Sequence, residues 1–356
     1  MVTQSDADKN TKTDQWRRAS IAMMVACGGV LCVIAALIVI VDPHDHLSLS
    51  PALSRAPINA NQRYSYPALA RSERFDSVVI GTSSTRLLRP RGLERELGGQ
   101  FVNLAMNSAT AYEQARLLEV FLRYHQPAKT VLLGIDNVWC ATGAASAKYT
   151  KRPFPQWMYD SNPWNDYLHV WNGATLEQTI RQLQFFVGRR EPRFGLNGYR
   201  TFLPDISEYD LGKARRALYG ADGQPREREP GTLVPESTVA QWRFPDHQLL
   251  REQFVQISAD TKVVFMFVPY HHYNIAHPQS SAGQRLNACK QGLIKVAQSL
   301  ANAQVVDFMF ASALTRTDEN YWDPLHYSES VAETLAGWLG QALRGQPNPD
   351  YYRRLH

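Results

Sequence analysis

The chain is poor in cysteine, in charge and in repeats. Four cysteines in 356 residues are too few for a disulfide-stapled scaffold. No internal repeat or low-complexity tract stands out, which excludes a solenoid or an array of small modules. Charged side chains make up 20% of the sequence and hydrophobic ones 44%, so a mostly disordered chain is excluded as well. No Gly-Lys-Ser or Gly-Lys-Thr follows a glycine-rich turn, which removes a phosphate-cradling loop. What remains is long enough for one large domain or two ordinary ones. The formal charge of +5 would by itself suit a nucleic-acid binder.

Charge is also missing locally. Ile21 to Val41 is a 21-residue run without a charged side chain. At about 1.5 Å per residue it reaches roughly 30 Å, the hydrocarbon thickness of a bilayer. Arg17 and Arg18 precede it, Asp42 and Asp45 follow it, and no Lys or Arg appears until Arg55. This asymmetry puts the N-terminus in the cytoplasm and the rest of the chain outside. A cleaved signal peptide would have a shorter apolar stretch ending in small residues, unlike Val39-Ile40-Val41-Asp42-Pro43. We therefore read residues 1–18 as a cytoplasmic tail and 19–41 as a transmembrane anchor. Residues 42–72, rich in Pro, Ser, Ala and Asn, read as a stalk or linker, and 73–356 as the body. Nearly all of the net charge, +4, then lies outside the membrane, out of reach of nucleic acid. Cys27 and Cys32 fall in the anchor and read as small apolar residues. Cys140 and Cys289 face an oxidising compartment, where they can pair or stay free.

In the body, apolar runs alternate with helical patterns. Ser77–Ile80, Phe101–Leu104, Thr130–Ile135, Lys262–Val268 and Gln304–Asp307 read as buried strands. Tyr112–Tyr124, Ala282–Asn302 and Ser328–Leu343 read as helices, the last capped by Ser328. This pattern predicts an α/β fold with a parallel sheet covered on both faces. Residues 141–245 break the rhythm and read as an inserted cap holding Trp157, Trp164, Trp171 and Trp242, with Trp139 just before. Within the insert, 174–189 is expected to be a helix, on the spacing of Leu176, Ile180, Leu183 and Val187.

Ligands of such sheets bind beyond the carboxyl ends of the strands. Gly81-Thr82-Ser83-Ser84-Thr85-Arg86 follows the first strand and presents a hydroxyl there. An ordinary capped turn has the same composition. Tyr321-Trp322-Asp323-Pro324-Leu325-His326 follows the fifth strand. Asp and His three apart can pair, so that the carboxylate orients an imidazole acting as base toward a serine. A capped loop with a surface histidine is the plain alternative. Pro269-Tyr270-His271-His272 follows the fourth strand, and Tyr270 and His271 either face substrate there or form part of a loop. No metal or other cofactor is called for, since these histidines lack a convincing set of further ligands.

Together, the Gly-x-Ser turn after the first strand and the late Asp-x-x-His resemble the SGNH, or GDSL-like, hydrolase superfamily. The resemblance covers 75–137 and 262–343 and implies a flavodoxin-like parallel sheet with a Ser-His-Asp triad. It makes Ser83 the nucleophile, His326 the general base and Asp323 its orienting partner. It implies that Asn107 or Ser108 stands where the family has an oxyanion-binding glycine in its second block. Asp136 stands where the third block has an asparagine, so either Asn137 substitutes, or Asp136 is protonated or paired, with Arg86 the candidate partner, or the hole is weak. The anchored form is similar to proteins of alginate O-acetylation and teichoic acid D-alanyl transfer. That likeness implies a periplasmic domain on the bacterial inner membrane, a cell-surface glycan or anionic polymer as substrate, and a multispanning membrane O-acyltransferase as partner. Tryptophans and arginines of the insert (Arg189, Arg190, Arg193, Arg215, Arg216, Arg226, Arg228) form either a groove for such a polymer or the insert's own core and solvated face. The activity expected is that of a serine esterase or O-acyltransferase. The alternative is a non-catalytic binding or scaffold subunit of a polymer-modification complex.

Overall fold

The computed structural model describes residues 4–255 and 257–356. They fall into two compact units, one formed by the chain up to Ile58 with Ser161–Pro192, the other by Asn59–Asp160 with Arg193–His356. The strands are β1 (Ser77–Ile80), β2 (Phe101–Asn103), β3 (Thr130–Ile135), β4 (Lys262–Phe267), β5 (Ala303–Asp307) and β6 (Arg353–Arg354). The first half carries helices α1 (Gln4–Val41), α2 (Gln62–Ala70), α3 (Ser83–Arg86), α4 (Pro90–Leu97), α5 (Ala111–Tyr124) and α6 (Gly173–Phe186). The second half carries α7 (Leu211–Tyr219), α8 (Glu236–Val239), α9 (Asp246–Phe254), α10 (Ser281–Ala297), α11 (Ala313–Arg316) and α12 (Glu329–Leu343).

The larger unit is α/β. Its six strands form one sheet in the order β2-β1-β3-β4-β5-β6. All neighbours run parallel except β6, which pairs antiparallel with β5. The central strands β1, β3 and β4 each carry an unbroken apolar run because both faces are covered. Val78, Val131, Val263 and Val305 point into one core layer, while Val79, Leu132, Val264 and Val306 point into the other. Helices α5, α9 and α10 fill the first layer through Leu117, Phe121, Leu250 and Leu293. Helices α4 and α12 fill the second through Leu93, Leu335 and Leu339. The strand order reverses between β2-β1 and β3, so the carboxyl ends of β1 and β3 border the topological switch point. Cys140, just after β3, is disulfide-bonded to Cys289 of α10.

Two boundaries differ from the sequence expectation. Residues 42–72 are not a free stalk. The chain to Ile58 packs in the smaller unit, and α2 belongs to the core of the larger one. Asn61 caps α2, Tyr66 is fully buried, and Arg63 Nε donates to Glu113 Oε1 of α5 at 2.9 Å, both side chains completely buried. Composition hid this helix because Gln62, Arg63, Ser65 and Pro67 dilute its apolar stripe. Nor are residues 141–245 one inserted subdomain: 161–192 goes to the smaller unit, and 141–160 and 193–245 stay with the sheet.

The smaller unit contains α1, whose stretch Thr13–Val41 is long and apolar enough to cross a membrane. Helix α6 packs against α1. Asp42 turns the chain at the end of α1, accepting the N–H groups of His46 and Leu47 at 2.8 Å each. Arg55 pairs with Asp45, and His46 with Asp166, at 2.9 and 3.0 Å.

Candidate active site

The Gly81-Thr82 turn leads directly from β1 into α3, which opens at Ser83. A Cβ on Gly81 would sit 2.3 Å from Thr85 Oγ1, and one on Gly134 of β3 would sit 1.8 Å from it. Glycine at both positions lets α3 press onto the ends of β1 and β3, leaving Ser83 part-exposed at the mouth.

Asp323 and His326 lie in a closed turn before α12. The Trp322 N–H donates to the His326 carbonyl at 2.9 Å, and Tyr321 and Tyr327 form an antiparallel bridge. Asp323 Oδ1 accepts the N–H groups of Leu325 and His326 at 2.8 and 3.0 Å. Its Oδ2 lies 2.7 Å from His326 Nδ1, and His326 Nε2 lies 2.8 Å from Ser83 Oγ. Two bonds lock this turn to α3: Ser84 Oγ donates to the Leu325 carbonyl at 2.9 Å, and Tyr327 Oη to the Ser84 carbonyl at 2.7 Å. Burial by itself would raise the Asp323 carboxyl. The imidazole and the two backbone N–H groups outweigh it and hold the group below the usual carboxylate value. An ionised Asp323 fixes the proton on Nδ1, so Nε2 is free to accept the Ser83 hydroxyl proton.

The other expected residues divide into three sets. Arg86 and Asn107 come together: Arg86 Nη1 donates to Asn107 Oδ1 at 2.9 Å and Nη2 to the Arg200 carbonyl at 2.9 Å. Met106 N–H donates to the Gly81 carbonyl at 2.9 Å, so the 104–107 segment runs alongside the serine turn. With Oδ1 occupied, the Asn107 amide keeps its N–H groups as donors. Arg86 therefore does not pair with Asp136. The Asp136 carboxylate instead accepts the Thr82 hydroxyl and, at 3.1 Å, the Val138 N–H. Burial raises its pKa, against these hydrogen bonds and that of the Tyr270 hydroxyl. Asn137 is exposed at the start of the turn after β3.

Tyr270 and His271 are both buried, at 5% and 0% exposure, so neither side chain faces open solvent at the mouth. His271 Nε2 lies 3.1 Å from Asp318 Oδ1. Asp318 also accepts Tyr219 Oη at 2.6 Å and Arg215 Nε at 2.7 Å. Burial and the neighbouring His272 push the His271 imidazole down to about 4 despite the carboxylate. The His271 N–H donates to the Pro324 carbonyl at 3.1 Å, so this buried network backs the turn that carries Asp323 and His326. Among the described residues, no group of three or more His, Cys, Asp or Glu side chains is arranged to hold a metal ion.

Phe202 escaped the sequence reading. Its ring packs edge-on against His326, 5.1 Å between centroids, and Arg86 lies over its face at 5.0 Å. It arrives there because 194–202 runs along the edge of β2. Asn103 N–H donates to the Asn197 carbonyl at 2.8 Å, and Gly198 at φ +77° allows a close approach where a Cβ would be 2.1 Å from the Asn103 carbonyl oxygen. The insert thus contributes a phenylalanine to the site, while its Trp164 and Trp171 belong to the smaller unit. No family model matches this chain, and no curated protein matches it.

Proposed function

We propose that the chain is an SGNH-type serine esterase or O-acyltransferase, anchored by α1, with its α/β unit on the outer side of the bacterial inner membrane. The observation that carries the reading is the linear relay Ser83 Oγ, His326 Nε2, His326 Nδ1, Asp323 Oδ2, with separations of 2.8 and 2.7 Å. Three facts support it further. The strand order 2-1-3-4-5 is that of flavodoxin-like sheets. The serine follows β1 at the switch point. The Cys140–Cys289 bond suits an oxidising compartment.

In this reading Ser83 Oγ attacks an acyl carbonyl while His326 takes its proton. The tetrahedral oxyanion is met by N–H groups of the α3 turn, which have no intrahelical acceptors, and by the Asn107 amide. The C–O bond of the leaving group then breaks, and His326 returns the proton to it. An alcohol or water, deprotonated in turn by His326, releases the acyl group and restores the serine. Transfer results when a sugar hydroxyl outcompetes water. The acceptor is a cell-surface polysaccharide or related anionic polymer, and a multispanning membrane O-acyltransferase supplies the acyl group.

A second reading, a non-catalytic scaffold subunit, is favoured by one observation: a carboxyl group, Asp136, stands where an oxyanion-binding amide would be expected, and it is spent on Thr82 and Val138. Labelling of the purified full-length protein with a serine-directed fluorophosphonate separates the two. Covalent labelling that disappears in Ser83→Ala is the expected result. In acyl transfer, Ser83→Ala is expected to lower kcat by about 10⁴ or more. A folded wild type that stays unlabelled, with its membrane partner present, would establish the scaffold reading instead.

A further inference from the structure

Helix α6 leaves part of its apolar stripe uncovered by protein. Its apolar stripe Leu176, Ile180, Leu183, Val187 follows the 3.6-residue period, the face expected to pack inward. Yet Ile180 and Val187 are 48% and 66% exposed and Leu176 and Leu183 only half-buried, whereas Thr175, Thr179 and Gln182 are buried. The buried polar groups are satisfied locally. Thr179 Oγ1 donates to the Thr175 carbonyl at 2.9 Å, and the Gln182 amide, in its satisfied orientation, pairs with both backbone groups of Ala56 at 3.3 and 3.1 Å.

The segment leading into α6 has the same character. Trp164, Leu168 and Trp171 are all largely exposed, and Trp164 stacks on Tyr167. After the stripe come Arg189 and Arg190. These residues form one compact unit with α1, and α6 packs against that membrane-length helix. Within α1 the exposed turns give way to buried ones only near the end, where Ile38 and Val41 are 2% exposed.

We propose that residues 164–187 are a second, non-spanning membrane contact, seated in the leaflet that α1 reaches at its carboxyl end. The occupant of the exposed stripe is lipid. Leu168, Ile180 and Val187 enter the acyl boundary, where apolar exposure costs nothing, and the indoles of Trp164 and Trp171 sit at the headgroup level. Arg189 and Arg190 meet anionic headgroups. Attachment to α1 favours lipid over a soluble partner, because it holds this surface next to the bilayer in every molecule. The inference is independent of the chemistry at Ser83 and goes beyond a single anchor.

The test uses the full-length chain in nanodiscs of phosphatidylethanolamine and phosphatidylglycerol, with Cys27→Ala and Cys32→Ala leaving the 140–289 disulfide intact. Single cysteines, Leu168→Cys or Val187→Cys, are labelled with an environment-sensitive dye. Both positions are highly exposed, so the fold tolerates them, and circular dichroism checks it. The expected result is quenching several-fold stronger by nitroxide on the lipid chains than by aqueous iodide, relative to the free dye conjugate. Iodide quenching equal to that of the free dye would overturn the proposal. So would protection from both quenchers, which would mean that protein, and not lipid, covers the stripe.

Discussion

Helices α5 and α6 are each 14 residues long, and each opens at a side-chain cap, Thr110 in one and Asn172 in the other. There the likeness ends. Helix α5 buries Leu117, Leu118, Val120 and Phe121 against the sheet and carries a capping box closed by Glu113. Helix α6 buries two threonines and a glutamine, leaves Ile180 and Val187 exposed, and half-buries Leu176 and Leu183. Equal length and a side-chain cap at each start thus permit different burial of the apolar face. What decides between them is the medium around the finished fold, water for one helix and lipid, as we propose, for the other.

Four substitutions break or sharpen that contrast, all read by thermal or denaturant unfolding of the full chain in nanodiscs. The largest effect is expected at Phe121→Ala, where removing a fully buried ring should destabilise the larger unit by about 3–5 kcal/mol. Next come the caps. Thr110→Ala and Asn172→Ala should each cost about 1 kcal/mol, since cap hydrogen bonds act the same way in both helices. The smallest effect is expected at Ile180→Ala, within about 0.5 kcal/mol, because that side chain is 48% exposed. A loss at Ile180 as large as that at Phe121 would make α6 an ordinary packed helix and end the contrast.

The same contrast explains what could be read from the sequence. Strands β1, β3 and β4 were legible because a strand buried on both faces needs an unbroken apolar run, and each has one. The edge strand β6 has only Arg353 and Arg354, and nothing in their chemistry announces pairing. The α6 stripe was legible as a helix, but not that Ile180 and Val187 would stay exposed, since periodicity reports amphipathicity and not the solvent. The relay was legible because Ser83 sits in a local turn, and Asp323 and His326 share another. Phe202, Thr82–Asp136 and Tyr327–Ser84 were not, because long-range folding brings each of them together. Tyr270 and His271 were placed correctly after a strand, but strand ends do not reveal which way a side chain turns.

The chain crosses between its two units three times, after Ile58, Asp160 and Pro192. A protease that cut only at the first crossing would sever every covalent link between α1 and the α/β unit. Shedding would still not follow, because the excursion 161–192 remains part of the body's chain and stays packed on α1. Release into the surrounding fluid requires that packing to fail too, so retention at the membrane survives a single nick that would free a domain held on a simple leash.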